Sequence, residues 1–173
     1  MVAAELKERL LYDPKAGVFT WIAPPRQNSS LKGRVAGSFQ PSRSSGYWVI
    51  GFGRKLYKAH RLAWLYMTGK WPTEQIDHID GDRVNNAWAN LRLATQAQNQ
   101  ANSKRTIRNQ SGYKGVHWRA DHSRWAAQIR LDGKNRFLGY FEKPEEAHDV
   151  YMAAAMQARG TYASNGVRGE LSS

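Results

Sequence analysis

Cysteine is absent from the 173 residues, which excludes disulfides and any zinc site built on thiolates. Long apolar runs are absent too, and none approaches the roughly 20 residues that a membrane-spanning helix needs. The N-terminus, MVAAELKERLLYD, is charged throughout and does not read as a secretory signal. Acids are scarce: Asp and Glu number 14 against 26 Lys and Arg, giving a formal charge of +12 and a sequence pI near 10.2. That balance makes nucleic acid the first partner to consider. An anionic membrane surface is the competing partner, but the bases are interspersed rather than gathered on one amphipathic helix. What the chain does have is seven Trp and eight Tyr within 41% hydrophobic content, enough for packed cores. The expected location is therefore cytoplasmic, not secreted, with no membrane partner.

Residues 3–12 fit a short amphipathic helix with Leu6, Leu10 and Leu11 on one side. GVFTWI alternates as a strand, PPRQNSSLKGR reads as a loop, and VAGSF, GYWVIGF and RKLYKAH read as short strands, with a hairpin turn at FGRK. From His60 to Thr68, Leu62, Leu65 and Tyr66 share a helical face, and Gly69 is a natural stop. LRLAT (91–95) is strand-like and QAQNQANSK (96–104) reads as a polar helix. Ile107 is the one apolar exception in SKRTIRNQSG, which reads as a basic tether. Beyond it YKGVHWRA, RWAAQIRLDG and KNRFLGYF form three strands with turns at 121–123 and Asp132-Gly133. A helix follows from Pro144 to Gly160, with Ala147, Val150, Tyr151, Ala154 and Ala158 at helical spacing. The fold class expected is α+β in two modules. Residues 1–102 and 113–166 are the modules and 103–112 the linker, and the second module is a three-stranded antiparallel sheet packed on one helix.

The densest chemistry is QIDHIDGDRVNNAWANLR, Gln75 to Arg92. Hydrolysis of a phosphodiester needs a base for water and a cation for the developing charge. His78 suits the base, with a reference pKa of about 6.5. Asp77 beside it supplies an oxygen donor, and a hard dication takes only one or two protein oxygens of this kind. On a regular strand the two would point to opposite faces. Asn90 lies twelve positions after His78 and Asn99 nine further; either amide could ligate a metal or hold a histidine tautomer. A bland alternative is an acidic surface turn with Gly81 at positive φ and the asparagines as turn and cap formers. Asp80 and Asp82 are read that way. An EF-hand loop is excluded by Ile79 at its third position.

DHIDGDRVNNAWANLR, with AHRLAW before it and ATQAQNQ after it, resembles the HNH endonucleases of phages and mobile introns. The resemblance runs over residues 1–102 and is strongest from Ala59 to Asn99. It implies a ββα-metal fold, in which a hairpin and a helix surround one divalent ion. It implies Asp77 as metal ligand, His78 as general base, Asn90 as the residue orienting His78, and Asn99 as second metal ligand. Asn99 stands where many relatives have His, which keeps an oxygen donor and suits Mg²⁺ or Mn²⁺. His60 and Arg61 fall near the site, with no step assigned to either. Trp64, Trp71 and Trp88 are read as core.

Between Lys104 and Arg136 nine bases face two acids, many of them alternating with apolar residues, as on a strand surface that could enter a major groove. The region from Tyr113 to about Asn165 resembles the apetala-two or ethylene-response-factor DNA-binding domain through its YKGV start, WAAQIR and LGYF strands and EEAHDVY helix. That resemblance implies Lys114, Gly115, His117, Arg119, Gln128 and Arg130 as DNA contacts, with Arg136 and Phe137 weaker because the register there is open. Trp125 is expected under the sheet and His148 on the helix surface.

The two resemblances together imply a metal-dependent, homing-type endonuclease on double-stranded DNA. It would act as a monomer that nicks, in the host cytoplasm if phage-encoded. A non-catalytic DNA-binding regulator on the same scaffold is the alternative; an RNA-binding protein is a weaker one, since no RNP-type motif is present.

Overall fold

The structure is a computed structural model that describes residues 1–42, 46–102 and 110–163, the side chains of 100 and 101 excepted. The chain folds as two compact units, Met1–Thr95 and Gln96–Ser173. Most of the basic tether, residues 103–109, lies outside the described residues.

The first unit opens with α1 (Ala3–Arg9). The expected helix ran on to residue 12. Instead β1 (Leu10–Asp13) pairs antiparallel with β2 (Val18–Trp21), Leu10 opposite Trp21 and Tyr12 opposite Phe19. Strand alternation buries Leu10 and Tyr12 and leaves Leu11 54% exposed. A helix this short gains little from its own hydrogen bonds. The stack of Tyr12 on Phe19, with ring centroids 4.7 Å apart, decides the period from residue 10 onward.

Strands β3 (Ser38–Pro41), β4 (Gly46–Phe52) and β5 (Lys55–Lys58) form an antiparallel sheet in that order, with the β4–β5 turn where FGRK places it. Helix α2 (Ala59–Thr68) follows directly and ends at Gly69 in the left-handed conformation. The unit closes with a two-stranded ribbon, β6 (Gln75–His78) against β7 (Leu91–Ala94). Leu6, Leu10, Phe19, Ile50, Leu62 and Leu65 are essentially sealed from solvent. Each such side chain contributes on the order of 1.5–3 kcal/mol of burial. Trp64, Trp71 and Trp88 pack against this core, as the sequence suggests.

The second unit carries α3 (Gln96–Ala101), then β8 (Val116–Arg119), β9 (Arg124–Leu131), β10 (Lys134–Phe141) and α4 (Pro144–Arg159). The sheet order is β10-β9-β8, all antiparallel, with a bulge between Phe137 and Gly139. The fold is thus α+β, with small antiparallel sheets. Helix α4 buries Ala147, His148, Tyr151 and Ala155. Val150, expected on that face, is exposed, and His148, expected on the surface, is not. The reason is packing: the His148 ring lies 4.8 Å from the Tyr113 ring and 6.2 Å from the Tyr151 ring. An imidazole fills the space there, and burial lowers its pKa so that it packs as a neutral ring.

Candidate active site

Asp77 and His78 are consecutive on β6, and the register sets Asp77 across from Arg92 and His78 across from Leu91. Their side chains therefore leave opposite faces of the ribbon. Both are buried, at 3% and 4% exposure. A buried carboxylate needs a compensating partner. Arg92 provides it: Nε donates to Asp77 Oδ2 at 2.9 Å and Nη2 lies 2.8 Å from the same oxygen.

His78 is held through Asn86. The Nδ2 group of Asn86 donates to the Val84 carbonyl at 3.0 Å, which turns Oδ1 toward His78 Nε2 at 3.2 Å. An amide oxygen only accepts, so Nε2 carries the hydrogen and Nδ1 is the basic nitrogen. Burial lowers the His78 pKa, partly offset by the Asn86 hydrogen bond and then by Asp80, Asp77 and Asp82. The ring is thus neutral near pH 7, the state that a general base requires.

Asn86 is itself pinned by the N-terminal hairpin. The Tyr12 hydroxyl donates to the Asn86 carbonyl at 2.6 Å, and burial, with Asp13 nearby, raises Tyr12 to about 12. The Trp88 amide donates to the Pro14 carbonyl at 2.8 Å. Gly17 sits so close that a Cβ there would come within 2.2 Å of the Ala87 nitrogen and 2.3 Å of the Asn86 carbonyl carbon. No other residue type fits at that approach.

Asn90 works on the loop. Its amide oxygen accepts from the Asp80 backbone N–H at 3.0 Å, and its Nδ2 donates to Asp80 Oδ1 at 2.9 Å and to the Asn85 carbonyl at 2.8 Å. The amide in contact with the histidine ring is that of Asn86. Asp80 and Asp82 accept the Asp82 and Val84 backbone N–H groups, at 2.8 and 3.1 Å, in a turn with Gly81 at positive φ. That is the structural role expected of them.

His60, the second residue of α2, is 6% exposed. Its ring stands perpendicular to that of His78 at 5.0 Å and lies 5.3 Å from that of Tyr47. Burial, then His78 and Lys58, lower its pKa to about 3, so it too is neutral. Arg61 turns toward the Trp71 ring, 5.9 Å from its centroid. Asn99 lies half-buried on α3, in the second unit. Among the described residues no three His, Asp or Glu side chains gather as a metal cage.

In the second unit the register separates two faces of the sheet. His117, Ala126 and Tyr140 share the outward face, as do Arg119 with Arg124, Gln128 with Phe137, and Arg130 with Asn135. Arg136 stands opposite Ile129, on the side that packs on α4. Arg119 is already engaged by Asp121, through Nε to Oδ1 at 2.9 Å and Nη2 to Oδ2 at 2.6 Å. Lys114 is half-buried, and burial, with Arg159 nearby, lowers its pKa to about 8. Gly115 has a packing reason of its own, since a Cβ would fall 2.2 Å from the Tyr151 ring. Trp125 packs partly buried against the small core under the sheet.

Sequence reasoning missed Asn86 and Arg92. Asn86 was one more loop asparagine, with no periodicity to mark it. Arg92 could have been found by pairing the two strands, which sets it directly across from Asp77.

A family model described as HNH endonuclease matches residues 57–101. Protein 3.8 of Escherichia phage T7 is 38% identical over 85 residues, 47% of this chain and 70% of the phage protein. An uncharacterized HNH endonuclease, L560, of Acanthamoeba polyphaga mimivirus is 30% identical over 122 residues, 69% of this chain and 62% of that protein. A solved structure titled DNA binding and cleavage by the HNH homing endonuclease I-HmuI aligns with a TM-score of 0.40 at 21% identity, over 82% of this chain and 76% of that one.

Proposed function

The chain belongs to the HNH endonuclease family, and from that we propose that it hydrolyses phosphodiester bonds in double-stranded DNA, as a homing-type enzyme that nicks one strand. The observation that carries this reading is the His78 ring, buried, neutral and fixed with Nδ1 as its basic nitrogen. Nδ1 takes the proton of a water molecule as that water attacks phosphorus. The resulting imidazolium keeps its Nε2–H on Asn86 Oδ1, so the proton transfer needs no rearrangement of the ring. Asn90 holds the 79–90 loop around it.

One divalent cation, Mg²⁺ or Mn²⁺, would be held through carboxylate and water oxygens, with Asp77 as the protein ligand in the first unit. These are oxygen donors of the kind that a hard dication takes, and a dication of this class keeps most of its shell as water. Asp77 Oδ2 faces Arg92, which fixes the carboxylate in place. When bound, the ion supplies positive charge to the phosphoryl oxygens and to the leaving 3′ oxygen.

The second unit would anchor the duplex through the outward sheet face, with Arg124, Arg130, Gln128 and His117 at its centre. A three-stranded sheet on one helix supports the apetala-two-type reading of its sequence. One active site per monomer implies a nick rather than a double-strand break. The setting is the host cytoplasm, to which a phage relative points.

Supercoiled plasmid carrying DNA from the neighbourhood of the gene tests this. Wild type with Mg²⁺ or Mn²⁺ yields nicked circles, and chelator or His78→Ala abolishes them. Wild type that binds the plasmid and leaves it intact in both metals would make the chain a DNA-binding regulator.

A further inference from the structure

Beside the base lies a group of cations that the reaction above does not use. The ammonium of Lys58 sits 3.9 Å from the Tyr47 ring centroid, and the Arg83 guanidinium 5.2 Å from the same centroid. His60 touches both this ring and that of His78. Among the described residues, no carboxylate lies within ion-pairing distance of Lys58, Arg61 or Arg83, although Asp80 and Asp82 are close in sequence. Those two acids are turned into their own turn instead.

We propose that Lys58 and Arg83, set against Tyr47, bind a backbone phosphate of the substrate strand next to the phosphate that is cut. The inference rests on the nuclease reading above and adds the residues that position the strand. Like charges brought together raise the energy of the empty site, and an anion between them relieves it. Burial is the larger cause of the lowered Lys58 pKa, and Arg83 and then Arg61 add to it.

Two further features favour an anion here. Helix α2, ten residues long, begins immediately after Lys58, with no side chain capping its first amides and no acid in its first turn. The positive end of its dipole therefore adds to the charge of the cluster. A shallow groove of about 350 Å³ runs alongside, lined by Gln40, Ser42, Tyr47, Val49, Leu56 and Lys58. It offers polar and apolar lining for a sugar or an unstacked base beyond the phosphate. His60 links the cluster to the base, its ring 5.3 Å from that of Tyr47 and 5.0 Å from that of His78.

The test is the salt dependence of duplex binding, followed by fluorescence anisotropy on a labelled oligonucleotide with chelator present. Lys58→Gln and Arg83→Gln are compared with wild type, and thermal melts check that each variant is folded. Each lost phosphate contact lowers the slope of log K against log salt by about 0.9. Because the two side chains share one phosphate, the double variant should lose about 0.9 in all, and its KM for cleavage should rise roughly tenfold. Lys58→Arg and Arg83→Lys should restore the slope, and Lys70→Gln should leave it unchanged. Folded Gln variants that keep the wild-type slope would overturn this site while leaving the nuclease reading standing. Wild type that neither binds nor cuts duplex DNA would remove both.

Discussion

Replacing Asn86 with Ala probes the tautomer of His78 more directly than any change to the histidine itself. The substitution removes one acceptor from a buried ring and leaves the Tyr12 hydrogen bond, which goes to the backbone carbonyl, in place. Stranding a buried N–H costs about 1–3 kcal/mol. The loss grows as His78 becomes imidazolium, because a charged donor makes the stronger bond. If about 2 kcal/mol falls on the transition state, kcat drops roughly 30-fold. Asn86→Asp keeps an acceptor and adds a negative charge, which raises the His78 pKa. A base works only unprotonated, so the rate falls as pH drops through that pKa. In wild type, burial holds this limb below the ordinary histidine value of about 6.5. In Asn86→Asp the limb should move to higher pH while the rate at alkaline pH survives. The assay is single-turnover nicking at saturating enzyme between about pH 5 and 9. Asn86→Ala activity within about threefold of wild type, with an unshifted acid limb, would refute the assignment of Nδ1 as the working base.

Three further outcomes follow from the geometry. Arg92→Ala leaves the Asp77 carboxylate buried without its guanidinium and should cost about 3 kcal/mol of stability, measured by urea unfolding. His60 and His78 both have pKa values lowered by folding, so the unfolded chain binds protons that the native chain refuses. Stability should therefore decline below about pH 6.5, by at most about 1.4 kcal/mol per pH unit for each ring, and a melting temperature flat from neutral to acid pH would contradict this. Gly115→Ala should destabilise the second unit by at least about 2 kcal/mol in calorimetry, since the new methyl meets the Tyr151 ring in a backbone conformation that disfavours it.

Much of this architecture was legible in the sequence because short-range rules decided it. Helix α2 with its Gly69 stop, the β9–β10 hairpin at Asp132-Gly133, and α4 opening on Pro144 all follow from local chemistry and periodicity. Residues 10–12 did not, because AAELKERLLY satisfies a helical period and a strand period at once, and a partner strand eight residues on decided between them. His148 looked like a surface residue because histidine is polar, whereas its neutral ring is a flat filler between two tyrosines. In the candidate site, Asp77 and His78 stood out as chemistry. What holds each of them did not, since Arg92 is found only through strand register and Asn86 only through the path of the loop. Gly115, read for ligand contact, also has a packing reason that the sequence did not show.

The hairpin of residues 10–21 has a consequence for how this motif can be moved between proteins. The segment matched by the family model begins at residue 57, yet the Asn86 carbonyl, the Trp88 amide and the backbone at Ala87 all rest on Tyr12, Pro14 and Gly17. A transplant of residues 57–101 into a new scaffold would carry His78 and its loop without the surface they lean on. The transferable unit is therefore discontinuous in sequence, and a graft has to rebuild that N-terminal hairpin, or an equivalent wall, to hold the Asn86–Trp88 segment beside the histidine.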